Sequence, residues 1–137
     1  MNQIFYTIGS RSLHKHEQYN FAIEDAEITW FHRDHLGQEI FRIKTLAVVQ
    51  PRKWVNIIAT YDNQEERARV FLDGELVKED SGSGYLSQDW GHFAGFGRDY
   101  YKNKYFSGAL DEVTVFNYAL PDDEVKYVSK GECNSDR

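Results

Sequence analysis

Two stretches of this chain carry the residue types that hold sugars: Ser87-Gln88-Asp89-Trp90-Gly91-His92 and Arg98-Asp99-Tyr100-Tyr101-Lys102-Asn103-Lys104-Tyr105. An aromatic face stacks on the C–H surface of a pyranose, and planar polar groups take its hydroxyls. Trp90, Tyr100 and Tyr101 supply faces, and Arg98, Asp99 and Asn103 supply donors and acceptors. These six residues are the candidate ligand site. Any single large aromatic reads first as a core residue, because aromatics are highly buried on average. Two adjacent loop tyrosines cannot easily both turn inward, so one of Tyr100 and Tyr101 is the preferred exposed contact.

The other reactive groupings are thinner. His32-Arg33-Asp34-His35 holds two histidines and a carboxylate, a mixture suited to transition metals. Only the distant His14 and His16 offer to complete it, so it reads as a polar hairpin tip. Cys133 is the single cysteine and cannot form an internal disulfide; it is a tail thiol or a half-cystine whose partner lies elsewhere. Neither a nucleophile elbow, a phosphate loop nor an HExxH pair is present. A retaining glycosidase needs two carboxyls about 5 Å apart. Glu24-Asp25-Ala26-Glu27 has the acids, but its spacing sends them to different faces of a strand. The chain reads as non-catalytic.

The elements that must position these residues are strands. Ile4–Ile8 is β-branched and aromatic and stops at Gly9-Ser10. Tyr19, Phe21 and Ile23 alternate with Asn20, Ala22 and Glu24, the period of a half-buried strand. Glu27–His32, Ile40–Val49, Trp54–Tyr61 and Arg67–Leu72 follow. Asp73-Gly74 is a two-residue hairpin signal into Glu75–Lys78. Phe93–Gly97 reads as a strand crowded by glycines, and Ala109–Phe116 as the last strand. Pro121, followed by Asp122, Asp123 and Glu124, opens one short helical turn with Val125 and Val128 facing inward. Many short strands and almost no helix mean an all-β sandwich or barrel.

Composition sets the outer limits. The 137 residues fit one domain, 1–131, with a polar tail, 132–137. Aromatics at 15% favour a pleated binder. A net charge of −6 excludes a nucleic-acid partner, which demands a basic footprint. No apolar run is long enough to span a bilayer, and no signal peptide opens the chain. For a secreted parent, Met1 then reads as an engineered start on an excised domain.

Three blocks in the second half resemble a known family. Trp54-Val55-Asn56-Ile57-Ile58-Ala59-Thr60-Tyr61-Asp62 is similar to the WxxVAxTYD strand of LamG-like jelly rolls. Arg69–Val77 resembles their DG hairpin, and Phe106–Leu120 their closing F-x-G-x-i-D-E-V signature. The blocks stand in the family's order over about half the chain. The resemblance is to the laminin G type 3 branch of the concanavalin A-like lectin/glucanase superfamily. It implies an antiparallel two-sheet β-sandwich (a jelly roll) and an extracellular, secreted setting within a larger parent chain. The family's first strands are missing or diverged here, so edges are left open and dimerisation would cover them.

The resemblance also implies calcium near Asp111, the Asp of the closing signature. One carboxylate supplies a small part of the six or more oxygens calcium takes. The superfamily's glucanases resemble one another in an E-x-D-x-x-E triplet, which this chain lacks. The expected function is therefore a non-catalytic binding module that recognises glycan or extracellular protein. The alternatives are a matrix domain contacting calcium or calcium carbonate mineral (biomineralisation), for which Glu65, Glu66, Glu79, Asp80, Asp122 and Asp123 would serve as loop acids, and a divergent glycoside hydrolase.

Overall fold

Burial along the central strands separates a core from the outer faces of two sheets. The computed structural model describes residues 2–9, 19–34, 36–85, 93–99 and 104–131. Its elements are β1 (Asn2–Gly9), β2 (Tyr19–Glu24), β3 (Glu27–Arg33), β4 (Glu39–Ala47), β5 (Ile57–Asp62), β6 (Arg67–Leu72), β7 (Glu75–Ser81), β8 (Phe93–Phe96), β9 (Arg98–Asp99), β10 (Lys104–Tyr105) and α1 (Asp122–Ser129). A five-stranded sheet runs β4-β3-β2-β1-β8 and a three-stranded sheet β5-β6-β7. The strand pairs are antiparallel. The two sheets pack face to face, as an antiparallel sandwich requires.

The core lies between them. Phe21 and Ile23 of β2, Ile28 and Trp30 of β3, and Phe41 and Ile43 of β4 meet Ala68 and Val70 of β6. Ile28, Ile43, Ala68 and Val70 are fully buried. The Trp30 and Phe41 rings meet edge to face with centroids 4.5 Å apart, a favoured aromatic geometry. Asp73-Gly74 joins β6 to β7 with φ of 48° and 83°, the left-handed pair of a type I′ hairpin turn. The alternate residues, Arg69 and Phe71 on β6 and Ile58 on β5, face away from the core. α1 covers them, with Val125 fully buried and Leu120 beside it.

Several expectations need correction. Ala109–Phe116 forms no strand, and Val113, Val115 and Phe116 are exposed. A strand exists only as part of a ladder, and among the described residues β5 has a partner on one side only, β6. The strand expected from Trp54 begins at Ile57, and Trp54 is 68% exposed. Arg98–Tyr105 is not wholly loop, since β9 pairs with β10. Glu79 and Asp80 belong to β7 and Asp122 and Asp123 to α1, so only Glu65 and Glu66 remain turn acids. The helix is eight residues rather than one turn. The tail 132–137 and the loop 12–17 lie outside the described residues.

Candidate functional site on the outer face of the large sheet

The face of the five-stranded sheet that points away from the core is polar but not flat. Along β3, Ile28, Trp30 and His32 are buried in or beside the core, so Thr29, Phe31 and Arg33 stand on the other side. Register extends this row: Asn20 of β2 pairs with Phe31, and Phe31 with Arg42 of β4. Asn20, Ala22, Glu24, Thr29, Phe31, Arg33 and Arg42 line a cleft of about 300 Å³. That is the lower end of the volume of a small-molecule pocket, about 300–1,000 Å³.

Phe31 is buried although it faces outward, because two guanidinium groups lie over its ring. Arg42 Cζ is 4.3 Å and Arg33 Cζ 4.8 Å from the ring centroid, both within cation–π range. Asn20 is 8% exposed, and its buried Oδ1 has no hydrogen-bond partner among the described residues. A buried acceptor left without a donor costs about 1–3 kcal/mol, so it is a group with an unmet demand.

Glu39 reaches this face through a β-bulge. Arg33 pairs with Glu39 and His32 with Phe41, so the register shifts between them and Ile40 is the extra residue. In a regular strand, residues three apart point to opposite faces. The bulge puts Glu39 and Arg42 on the same one. Arg42 Nε donates to both Glu39 oxygens at 3.1 and 3.0 Å, Arg42 Nη2 also donates to Oε1, and Arg33 Nη2 stands 3.4 Å from Oε1. The Arg42 bonds, with help from Arg33, hold the Glu39 carboxyl below the usual carboxylate range, and Glu39 raises Arg42 in turn. One row further along, Lys44 Nζ pairs with Glu27 at 2.8 Å.

The edge beside this cluster is sealed. β4 is the outer strand of its sheet. The Arg42 backbone N–H donates to Asp80 Oδ2 at 3.1 Å, and buried Gly82 lies against the Ile40 carbonyl. Tyr61 Oη donates to the Gly84 carbonyl at 2.6 Å and fixes that segment from the other sheet.

Of the sequence-predicted site, Trp90, Tyr100, Tyr101 and Asn103 lie outside the described residues. Arg98 and Asp99 form β9, in register with Tyr105 and Lys104, and Tyr105 is 59% exposed. Asp111 is exposed, and its Oδ1 accepts the Glu112 N–H at 2.8 Å. Among the described residues no group of three or more His, Cys, Asp or Glu side chains is placed to hold a metal. His32 is not at a hairpin tip: it is 1% exposed, on the core side of β3, with Nδ1 donating to the Arg33 carbonyl at 3.0 Å. Burial pushes its pKa down. The Asn20–Phe31–Arg42 row was missed because its outward residues read as the solvated half of each alternation. The signal was an outward aromatic, Phe31, in a row of polar residues.

With this geometry in view, comparisons with known proteins define the class. The model of the laminin G type 3 family, in the concanavalin A-like lectin/glucanases superfamily, matches residues 2–126, and the chain belongs to this family. Among solved structures, the CBM40 of the Ruminococcus gnavus IT-sialidase superposes with a TM-score of 0.73 at 16% identity, over 93% of this chain and 74% of that one. The same module bound to alpha2,3 sialyllactose gives 0.74 at 15%, with the same coverage. The binding domain of Paraclostridial Mosquitocidal Protein 1 gives 0.64 at 13%, over 96% of this chain and 32% of that one. At these identities the likeness shows the fold. No curated protein sequence matches the chain significantly.

Proposed function

We propose that this domain is a non-catalytic glycan-binding module whose ligand lies in the cleft over Asn20, Thr29, Phe31, Arg33 and Arg42. The carrying observation is the buried Oδ1 of Asn20, which has no hydrogen-bond partner among the described residues, in a cleft that also presents guanidinium, hydroxyl and carboxylate groups. Sugars offer many hydroxyls, each both donor and acceptor, and a mixed set of planar polar groups answers them. The similar fold of a carbohydrate-binding module bound to sialyllactose supports the same reading. The setting that fits is a larger secreted protein, which such a module would anchor to its target. The support is that the binding domain of similar fold is matched over 32% of its chain, so there the sandwich is one part of a longer polypeptide.

The test is an NMR titration of the 15N-labelled domain with lactose, sialyllactose, cello-oligosaccharides and laminari-oligosaccharides. Shift changes should centre on Asn20, Thr29, Arg33 and Arg42, and Asn20→Ala should weaken binding by about tenfold, the cost of one buried polar partner. Changes confined to 98–105 would move the site to the aromatic loop. No change with any glycan would refute the reading.

A further inference from the structure

We propose that Glu39 is the built-in occupant of a carboxylate clamp, and that the natural ligand of this face carries a carboxylate that displaces it. This rests on the glycan reading above and names the ligand class: an acidic sugar.

Three observations carry it. First, the two arginines are pre-set. Both guanidinium groups lie over the Phe31 ring, which holds two long side chains over one spot. Second, what they hold is a carboxylate, gripped by the Arg42 fork and approached by Arg33. Planar, forked recognition is what guanidinium offers a carboxylate and what a hydroxyl cannot fully use. Third, the holder is irregular. The bulge at Ile40 is what brings Glu39 round to this face, beside Arg42 and Arg33.

Arg42 and Arg33 both reach Glu39, and the other carboxylate lining the cleft, Glu24, comes from β2, whose Asn20 rather than Glu24 is in register with Phe31 and, through it, Arg42. A ligand carboxylate at the Arg33 and Arg42 end replaces the anion already there, so the arginines lose nothing. Glu39 is on the surface and swings into water. A neutral sugar has no group that competes with it. Glu39 therefore keeps the clamp ordered when empty and sets a threshold that only an anion crosses.

The experiment measures affinities of the whole 137-residue chain for glucuronic, galacturonic and N-acetylneuraminic acids and for their methyl esters, which differ from the acids by one charge. At least one acid should bind more tightly than its ester. Glu39→Gln should strengthen that acid about two- to fivefold, the weight of one exposed ion pair expressed as competition, and leave the ester unchanged. Arg42→Gln should abolish the difference between acid and ester. The Arg42 Hε resonance should move with the acid only. Equal binding of acid and ester overturns the proposal and leaves glycan binding standing. So does a folded Glu39→Gln protein, with an unchanged melting temperature, that binds the acid no better. Silence of these sugars and of every oligosaccharide above overturns both readings.

Discussion

Gly82→Ala tests whether the strap over the β4 edge is as tight as the geometry makes it. Gly82 is buried, and its φ is not in the left-handed region, so alanine meets no backbone penalty there. By chain entropy alone the substitution would stabilise by about 0.4–1 kcal/mol. Sterics oppose it. A Cβ at this position would stand 2.1 Å from the Ile40 carbonyl oxygen, 2.8 Å from its carbon and 2.9 Å from Phe41 Cβ, where ordinary contact begins at 3.4 Å. Neither obstacle can retreat freely, because Phe41 and Arg42 are laddered to His32 and Phe31. The strap must lift by more than 1 Å instead. That sacrifices the Gly82 N–H bond to the Glu66 carbonyl, 2.8 Å, and the Tyr61 bond to Gly84, 2.6 Å. Two hydrogen bonds at about 1 kcal/mol each and some loosening over Phe41, less the entropy gain, leave a net loss of about 2 kcal/mol.

For a chain of this length that is a fall in melting temperature of about 8 °C, read by circular dichroism or calorimetry. The Arg42 backbone amide resonance should broaden as well, since it donates to Asp80, two residues before Gly82. An alanine variant as stable as the parent would refute the contact and the claim that this segment seals the edge.

Other outcomes follow from the same packing. Burial lowers the pKa of His32 in the fold, so near the ordinary value of about 6.5 the unfolded chain takes up a proton more readily than the fold; stability therefore falls as pH drops below that value, and His32→Phe should flatten this part of a urea-denaturation series. Asp122→Ala strips the counter-charge from Arg69, which is 9% exposed and bonded to Asp122 Oδ1 at 2.5 Å, and should cost about 1–2 kcal/mol. Adding Arg69→Met should recover part of that loss, so additivity in the double variant would show the pair to be uncoupled. Phe31→Leu keeps much of the buried volume but removes the ring beneath the guanidiniums; melting should change little while the preference of the cleft for acid over ester falls.

Period-two patterning made most strands legible, since Tyr19–Glu24, Glu27–Arg33 and Arg67–Leu72 each bury one side chain set in the core. Asp73-Gly74 announced its turn because only residues tolerant of positive φ fit there. The Phe106–Leu120 signature was legible as sequence but not as structure: Val113 and Val115 have the pattern of a strand, and pattern cannot supply the neighbour that a ladder needs. The site was harder. Its key event is a register shift of one residue at Ile40, and nothing in Glu39-Ile40-Phe41-Arg42 says that Glu39 and Arg42 will share a face. Alternation puts them on opposite sides; pairing with β3 brings them together.

That bulge also explains why fold and site are hard to separate here. An outer strand such as β4 exposes hydrogen-bonding groups that invite aggregation, and bulges are one way of closing it. Here the extra residue, Ile40, is tucked inward against Gly82 and Gly84, where its carbonyl and side chain anchor the strap. The same displacement turns Glu39 outward onto Arg42. Removing the bulge by deleting Ile40 would thus strip the edge of its cover and the arginines of their carboxylate at once. Glu39→Gln leaves the strap in place and touches only the arginines. If the two changes proved alike in their effect on stability, the carboxylate would be part of the edge. If only the deletion destabilises, Glu39 is held at this face for the ligand.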